Sequence, residues 1–402
     1  MRCTFLIALQ MCVLLALPCG IASAASPDDS AGPRTSPAGT PYVCVPSLIW
    51  RSPELCPSYG PGTTAYRIAS IRLPDPLPAL PVTEIPQDDE DKQLLPHVYA
   101  HVKTLPLSVY RHPMEAAMGL PPVRTMLSGD WWLSLENLVE YEGQQWYQIG
   151  EEEYIPADSV ALANPSKFQG VYLSEQPQYP FAWINRWVQP ALAPQGPLNE
   201  PIAFDRYQLV TLFAEERRGE EIWYLVGQDQ WVEQSFTSRV DVNPPPAEVA
   251  PGGKWIEVDL FESTIAAYEG ERMVYATLFS GGRTATATPP GIYHPWNKTR
   301  EGKMSNPDVE DGSPAYYYIE DVPWTIYFHE GYSIHAAFWH DAFGFQRSHG
   351  CVNLSPRDAQ WFFNWADPFL PEDVNEVYIG EGTPAPWVWV HFDSPFGEAA
   401  AP

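Results

Sequence analysis

One strand-like segment occurs twice at a fixed distance, and this constrains the fold more than any other feature of the chain. Trp146-Tyr147-Gln148-Ile149-Gly150, followed by Tyr154-Ile155, recurs 77 residues later as Trp223-Tyr224-Leu225-Val226-Gly227, followed by Trp231-Val232. Each copy comes after a turn rich in Glu and Gly, Tyr141-Glu142-Gly143 in one and Arg218-Gly219-Glu220 in the other. Aromatic and β-branched residues alternating over so few positions suit short, half-buried strands. A strand–turn–strand unit with this period predicts two small β-barrels in tandem. The first is expected over 95–165 and the second over 166–243. Trp146 and Trp223 read as core aromatics of these units.

Proline marks the edges. The run Asn243-Pro244-Pro245-Pro246 to Pro251-Gly252-Gly253 cannot sit inside a sheet, so 244–253 reads as a linker. Residues 25–94 are rich in Pro, Ser, Ala and Asp, and the proline-dense run from Leu73 to Pro86 reads as an extended spacer. A third unit is expected over 254–380, with a tail over 381–402. It opens on a hairpin: Trp255 to Leu260 alternates, Ile265 to Tyr268 leads into the turn Glu269-Gly270-Glu271, and Met273 to Phe279 returns. Further strands are expected at Ala315–Ile319 and Trp324–Phe328. Helical signal is sparse until Ser355, where Ser355 can cap, Pro356 suits the first helical position and Asp358 completes a capping box. That helix is expected to run to about Trp365. The chain is therefore expected to be mainly β.

The first residues carry Arg2, an apolar run from Phe5 to Leu17 and the small-residue site Ala22-Ser23-Ala24. This pattern predicts a cleavable signal peptide over 1–24 and export to the cell envelope. The run is shorter than the roughly 20 residues a membrane anchor needs. A lipid-bearing Cys19 is the weaker alternative, because Leu17 and Pro18 fit such a site poorly. No other segment is apolar enough to span a bilayer. The formal net charge of −27 argues against nucleic acid as a partner. Cys3, Cys12 and Cys19 leave with the signal peptide. Cys44 and Cys56 are expected to pair across a short loop in an oxidising compartment. Cys351 is then left without a partner.

Cys351 sits in the sequence Ser348-His349-Gly350-Cys351-Val352-Asn353, sixteen residues after His335. A cysteine nucleophile needs a base, because the thiolate is the reactive form. It also needs N–H donors for the oxyanion formed on acyl transfer. His335 lies at the end of a strand-like run, Gly331 to Ile334, and the loop Ala336–Arg347, hinged at Gly344, returns the chain to Cys351. The two residues can form a nucleophile–base pair. The capped helix just downstream is expected to favour the thiolate through its dipole. Gly350 leaves room for close backbone approach. His349 reads as a loop-orienting residue. Zinc is the alternative for His329, His335, His340, His349 and Cys351, but the spacing fits no common zinc pattern and Asp341 is the only close carboxylate. No metal or cofactor is expected.

The stretch from Trp255 to Ile379 resembles the L,D-transpeptidase catalytic domain of the bacterial cell wall, known as YkuD-like. The residues that carry the resemblance are the opening hairpin, Thr288-Pro289-Pro290-Gly291-Ile292-Tyr293, Ile334-His335 and Ser348 to Asn353. The repeated units look like bacterial SH3-like wall modules. The first resemblance implies a β-rich catalytic domain with a short helix after the nucleophile, and peptidoglycan stem peptides as acyl donor and acceptor. It makes Cys351 the nucleophile and His335 the proton donor and acceptor, with the backbone carbonyl of Ala336 orienting the base. It places Met304, Tyr327 and Trp339 where the family lines its donor groove, and Asn353 where it holds the Cys351 loop. The implied reaction forms 3→3 cross-links through a thioester and releases the terminal D-alanine of a tetrapeptide stem. Water as acceptor would instead give an L,D-carboxypeptidase. The competing class is a wall-binding protein with a silent third unit.

Overall fold

The two copies of the repeat share six strands in the same order, and the first adds two short strands, Leu107–Val109 and Arg124–Met126, and a helix, Pro113–Ala117, after its first strand. The computed structural model describes residue 68 and residues 71–83, 95–306 and 308–396. The expected signal peptide and the Cys44–Cys56 pairing lie outside the described residues. The first copy contains β1 (Val98–Val102), β2 (Asp130–Leu135), β3 (Leu138–Tyr141), β4 (Gln144–Gly150), β5 (Glu153–Pro156) and β6 (Val160–Leu162). The second contains β7 (Phe181–Ile184), β8 (Leu209–Thr211), β9 (Ala214–Arg218), β10 (Glu221–Gly227), β11 (Gln230–Glu233) and β12 (Thr237–Val240).

In each copy three strands form an antiparallel meander, β3-β4-β5 and β9-β10-β11, and three more form a sheet ordered β2-β1-β6 and β8-β7-β12. Even the bulges coincide, between Gln148 and Gly150 in one copy and between Leu225 and Gly227 in the other. Trp146 is buried and packs edge-on against Tyr110. Trp223 is only half-buried and lines a surface groove with Trp187 and Leu198.

The third unit contributes β13 (Lys254–Asp259), β14 (Thr264–Glu269), β15 (Arg272–Leu278), β16 (Gly291–Tyr293), β17 (Asn297–Ser305), β18 (Tyr317–His329), β19 (Tyr332–Ala336), β20 (Val352–Leu354), α1 (Pro356–Trp365), β21 (Glu376–Tyr378) and β22 (Trp387–His391). One seven-stranded sheet runs Val82–Thr83, Val171–Leu173, β15, β14, β13, β22, β16. An eight-stranded sheet runs β20-β19-β18-β2-β1-β6, with β17 on β18 and β21 on β17. Strands from either side of the expected 244–253 linker therefore share both sheets. The fold is mainly β.

The join between the first copy and the third unit depends on a glycine. Asp130 to Trp132 of β2 pair in parallel with Tyr317 to Ile319 of β18. Gly129, at φ +102°, brings the Asp130 N–H within 2.9 Å of the Tyr316 carbonyl. A Cβ on Gly129 would lie 2.6 Å from that oxygen, so a side chain there would force the two strands apart.

The apolar faces of both sheets meet in one core. It takes Ile256, Val258 and Ile265 from one sheet, Ile326, Ile334 and Val352 from the other, and Phe362 and Phe363 from α1. The helix is closed at both ends. Ser355 accepts the Asp358 N–H, as the capping box requires. At the other end the buried Lys298 ammonium donates to the carbonyls of Phe363, Ala366 and Pro368 at 2.7, 2.7 and 2.8 Å. These carbonyls would otherwise lack partners inside the protein.

Candidate active site

β19 and β20 lie side by side in parallel, with His335 beside Asn353 and Ile334 beside Val352. Side chains alternate along a strand, so Ser333 and His335 share one face of β19. Cys351 enters β20 on the same side, and its Sγ is 3.6 Å from Ser333 Oγ and 3.8 Å from the Gly331 carbonyl. Cys351 and His335 line one cavity of about 300 Å³. His335 is buried, and its Nδ1 lies 2.9 Å from the Ala336 carbonyl. A carbonyl only accepts, so Nδ1 carries the proton and Nε2 is left as the basic nitrogen.

The turn before Cys351 is held from several sides. Ser348 Oγ accepts the Gly350 N–H at 3.0 Å and donates to the Cys351 carbonyl at 2.6 Å. Thr288 Oγ1 donates to the Gly350 carbonyl at 2.7 Å. Gly350 has φ +123°, and a Cβ there would lie 2.3 Å from Cε1 of Tyr332. A side chain there would displace the Tyr332 ring or the turn. Beyond the turn, Asn353 and Ser280 exchange backbone hydrogen bonds at 2.9 and 3.0 Å. The Asn353 carboxamide lies 3.2 Å from His340 Nε2. His340 Nδ1 accepts the Ala342 N–H, so its neutral ring carries the proton on Nε2, facing that carboxamide.

Burial sets the protonation of the pair. It pushes His335 down to about 4, against a smaller upward effect of the Ala336 carbonyl. It pushes the Cys351 thiol up, only partly offset by Ser333. At neutral pH the resting pair is therefore thiol and neutral imidazole. The expectation that the helix would favour the thiolate does not hold. The Asp358 carboxylate and Ser355 occupy the N-terminus of α1. Asp358 accepts from the Gly170 N–H, Tyr275, Thr277 and Ser355 at 2.8, 2.7, 2.6 and 2.8 Å. The positive end of the helix is thus satisfied away from the sulfur.

Residues 253–386 match the family described as YkuD, L,D-transpeptidase catalytic domain. The third unit is an L,D-transpeptidase catalytic domain. No curated protein matches the chain. Among solved structures, an Enterococcus faecium L,D-transpeptidase matches at 21% identity and TM-score 0.28, over 35% of this chain and 50% of that one. The L,D-transpeptidase from Mycobacterium smegmatis matches at 18% identity and TM-score 0.29, over 44% of this chain and 68% of that one. The catalytic domain from the Enterococcus faecium L,D-transpeptidase matches at 23% identity and TM-score 0.27, over 35% of this chain and 98% of that one. The chain thus spans about half the length of the first of these proteins.

Within the L,D-transpeptidase domain, Met304 and Trp339 line the cavity with Cys351, His335, Ser348, His349 and Asn353. Trp339 also stacks on His335, with ring centroids 5.8 Å apart. Tyr327 does not line the cavity; its ring lies on Trp296, centroids 5.3 Å apart. His349 is exposed and stacks on Tyr317. Among the described residues no three His, Cys, Asp or Glu come together as metal ligands.

Other residues at the site carry no local signal of their place there. Ser333, two before His335 and so on the same face of β19, meets Cys351 Sγ but does not line the cavity. Arg283, Tyr317 and Arg347 do line it. His101, Asp130 and Trp132 come from the first copy and reach the cavity because β2 pairs with β18. His101 Nε2 lies 2.8 Å from Asp130 Oδ1.

Proposed function

We propose that this chain is an exported L,D-transpeptidase that forms 3→3 cross-links between peptidoglycan stems. The observation that carries this reading is the shared cavity of Cys351 and His335, with the Nδ1–H of His335 committed to the Ala336 carbonyl. Such a base has one free nitrogen and one orientation, which general acid–base chemistry requires. Cys351 Sγ attacks the carbonyl of the L-centred third residue of a tetrapeptide stem as its proton passes to His335 Nε2. The oxyanion sits at the Cys351 N–H, since the Gly350 N–H is already given to Ser348. The amide C–N bond breaks, and His335 returns the proton to the departing D-alanine. The amine of a second stem then attacks the thioester, gives its proton to His335, and leaves as the new amide while the thiol re-forms. Asn353 holds the turn through Ser280 and His340. Met304 and Trp339 flank the donor.

Because the thiol is pushed up and the base pushed down, the thiolate forms with substrate bound rather than at rest. The test is muropeptide mass spectrometry on wall digested after incubation with the full exported chain. The wild type is expected to generate 3→3 dimers and Cys351→Ala none. Dimers from Cys351→Ala would overturn the nucleophile. Free tripeptide in place of dimers would assign the carboxypeptidase reaction instead.

A further inference from the structure

The cavity wall carries two cations that the acyl-transfer chemistry does not use. Arg283 and Arg347 lie on neighbouring segments tied by backbone hydrogen bonds. Arg347 N and Ser348 N donate to the Gly281 carbonyl at 2.9 and 2.8 Å, and Arg283 N donates to the Ser348 carbonyl at 3.2 Å. Both residues line the Cys351 cavity. Neither guanidinium has a hydrogen-bond or ion-pair partner among the described residues. Both side chains are exposed in a chain with 50 acidic and 23 basic residues, and Arg111 and Arg357 likewise lack such partners. Elsewhere, Arg124 pairs with Glu153, Arg206 with Asp341, Arg239 with Glu215 and Asp241, and Arg272 with Glu269. The one carboxylate on the cavity wall, Asp130, is taken by His101.

We infer that Arg283 and Arg347 form a carboxylate-binding subsite beside Cys351. It takes a free carboxylate of the acyl donor. This rests on the transpeptidase reading for the identity of the donor, though not for the subsite itself. Two guanidinium groups without partners present forked N–H donors to a planar anion, the pairing that carboxylates favour most. A stem tetrapeptide offers two sources: the α-carboxylate of its last residue, and a side-chain carboxylate on a third residue of the diamino dicarboxylic type. The chemistry is the same for both, and the experiment separates them.

The first measurement needs no substrate. The full chain is treated with iodoacetate or iodoacetamide, and alkylation of the Cys351 peptide is followed by mass spectrometry. These reagents differ by a carboxylate. The ratio of their rates is expected to fall roughly 3- to 10-fold in the double variant Arg283→Gln/Arg347→Gln and to persist in the double lysine variant. An unchanged ratio, or equal slowing by both reagents, overturns the subsite. The second measurement compares the free donor with donors amidated at the last residue or at the third side chain. The amide that removes the bound carboxylate is expected to raise KM on the order of 10- to 100-fold in the wild type, with little added effect in the glutamine variants. A shifted alkylation ratio with no donor turned over leaves the subsite standing and removes the transpeptidase reading. Turnover with a KM indifferent to both amides removes the subsite and leaves the enzyme.

Discussion

The two copies of the repeat share a fold and differ in how they meet the catalytic domain. Register makes the comparison residue by residue. His101 and Trp183 hold the same place, each paired to both sheet neighbours, and so do Trp132 and Leu209. By the same offset, Gly129 corresponds to Arg206 and Asp130 to Tyr207. In the first copy Gly129 lets backbone meet backbone, and His101, Asp130 and Trp132 become cavity wall.

In the second copy a side chain takes over at this position. Arg206 reaches Asp341 and the Phe343 carbonyl, and Tyr207 donates to Asp341 at 2.8 Å. Trp183 is buried in one cluster with Phe343 and Ala337. Phe338 stacks on Tyr99 of the first copy, while Phe343 stacks on Phe168 beside the second. The segment between His335 and Cys351 is therefore gripped by both copies. One copy forms part of the cavity wall, and the other packs on the segment from Ala337 to Phe343. The two copies thus present different surfaces to the third unit, and one glycine-to-arginine difference marks the change.

The largest expected effect belongs to the pair that both copies support. His335→Ala should lower kcat/KM by about 10²- to 10⁴-fold. The wild type's acid limb should fall near 4, where burial places His335, rather than near the ordinary ~6.5. Steady-state rates across pH check both points; an acid limb unchanged in the variant would remove His335 as the base. The copies themselves are separated by a matched pair. Trp132→Ala should cost roughly tenfold in kcat/KM, the ~1.4 kcal/mol of one aromatic wall contact, as well as stability, because its ring also packs on Phe338. Leu209→Ala should cost stability alone, ~1–2 kcal/mol in denaturant unfolding, and leave kinetics within about threefold. Equal kinetic losses would end the division of roles.

The smallest effect concerns the second copy's attachment. Glu262 of the catalytic domain accepts the Arg239 N–H of β12 at 2.8 Å, and burial pushes its carboxyl up to about 8. The folded state then holds a proton that the unfolded chain releases at lower pH. Its contribution is full below the ordinary glutamate value and is lost as pH rises towards 8. Glu262→Gln should raise Tm by roughly 2–4 °C above pH 8 and by nothing near pH 4. A gain independent of pH would mean that the carboxyl does not titrate there.

The strands of the opening hairpin and the helix Pro356–Trp365 were legible because alternation and the capping box act over a few residues. Cys351 and His335 stand out in the sequence because they lie on one short, spaced motif, and the fold brings both to one cavity. The first copy's share of the cavity does not stand out. His101 and Trp132 look like ordinary strand residues, and only the pairing of β2 with β18 carries them there. The thiol's surroundings are not local either. A helix N-terminus lies close to Cys351 in sequence, but Asp358, bonded to Gly170, Tyr275 and Thr277, satisfies it. Long-range partners decide such matters, and they leave no local trace.

The chemistry of Cys351 can be weighed directly. The full chain is incubated with a tetrapeptide donor without acceptor, quenched in acid, and its intact mass is recorded. The expected result is a gain equal to the donor less D-alanine, mapped to the Cys351 peptide and absent in Cys351→Ala. Donor turnover with no such adduct, or an adduct that persists in Cys351→Ala, would contradict a cysteine nucleophile at this site.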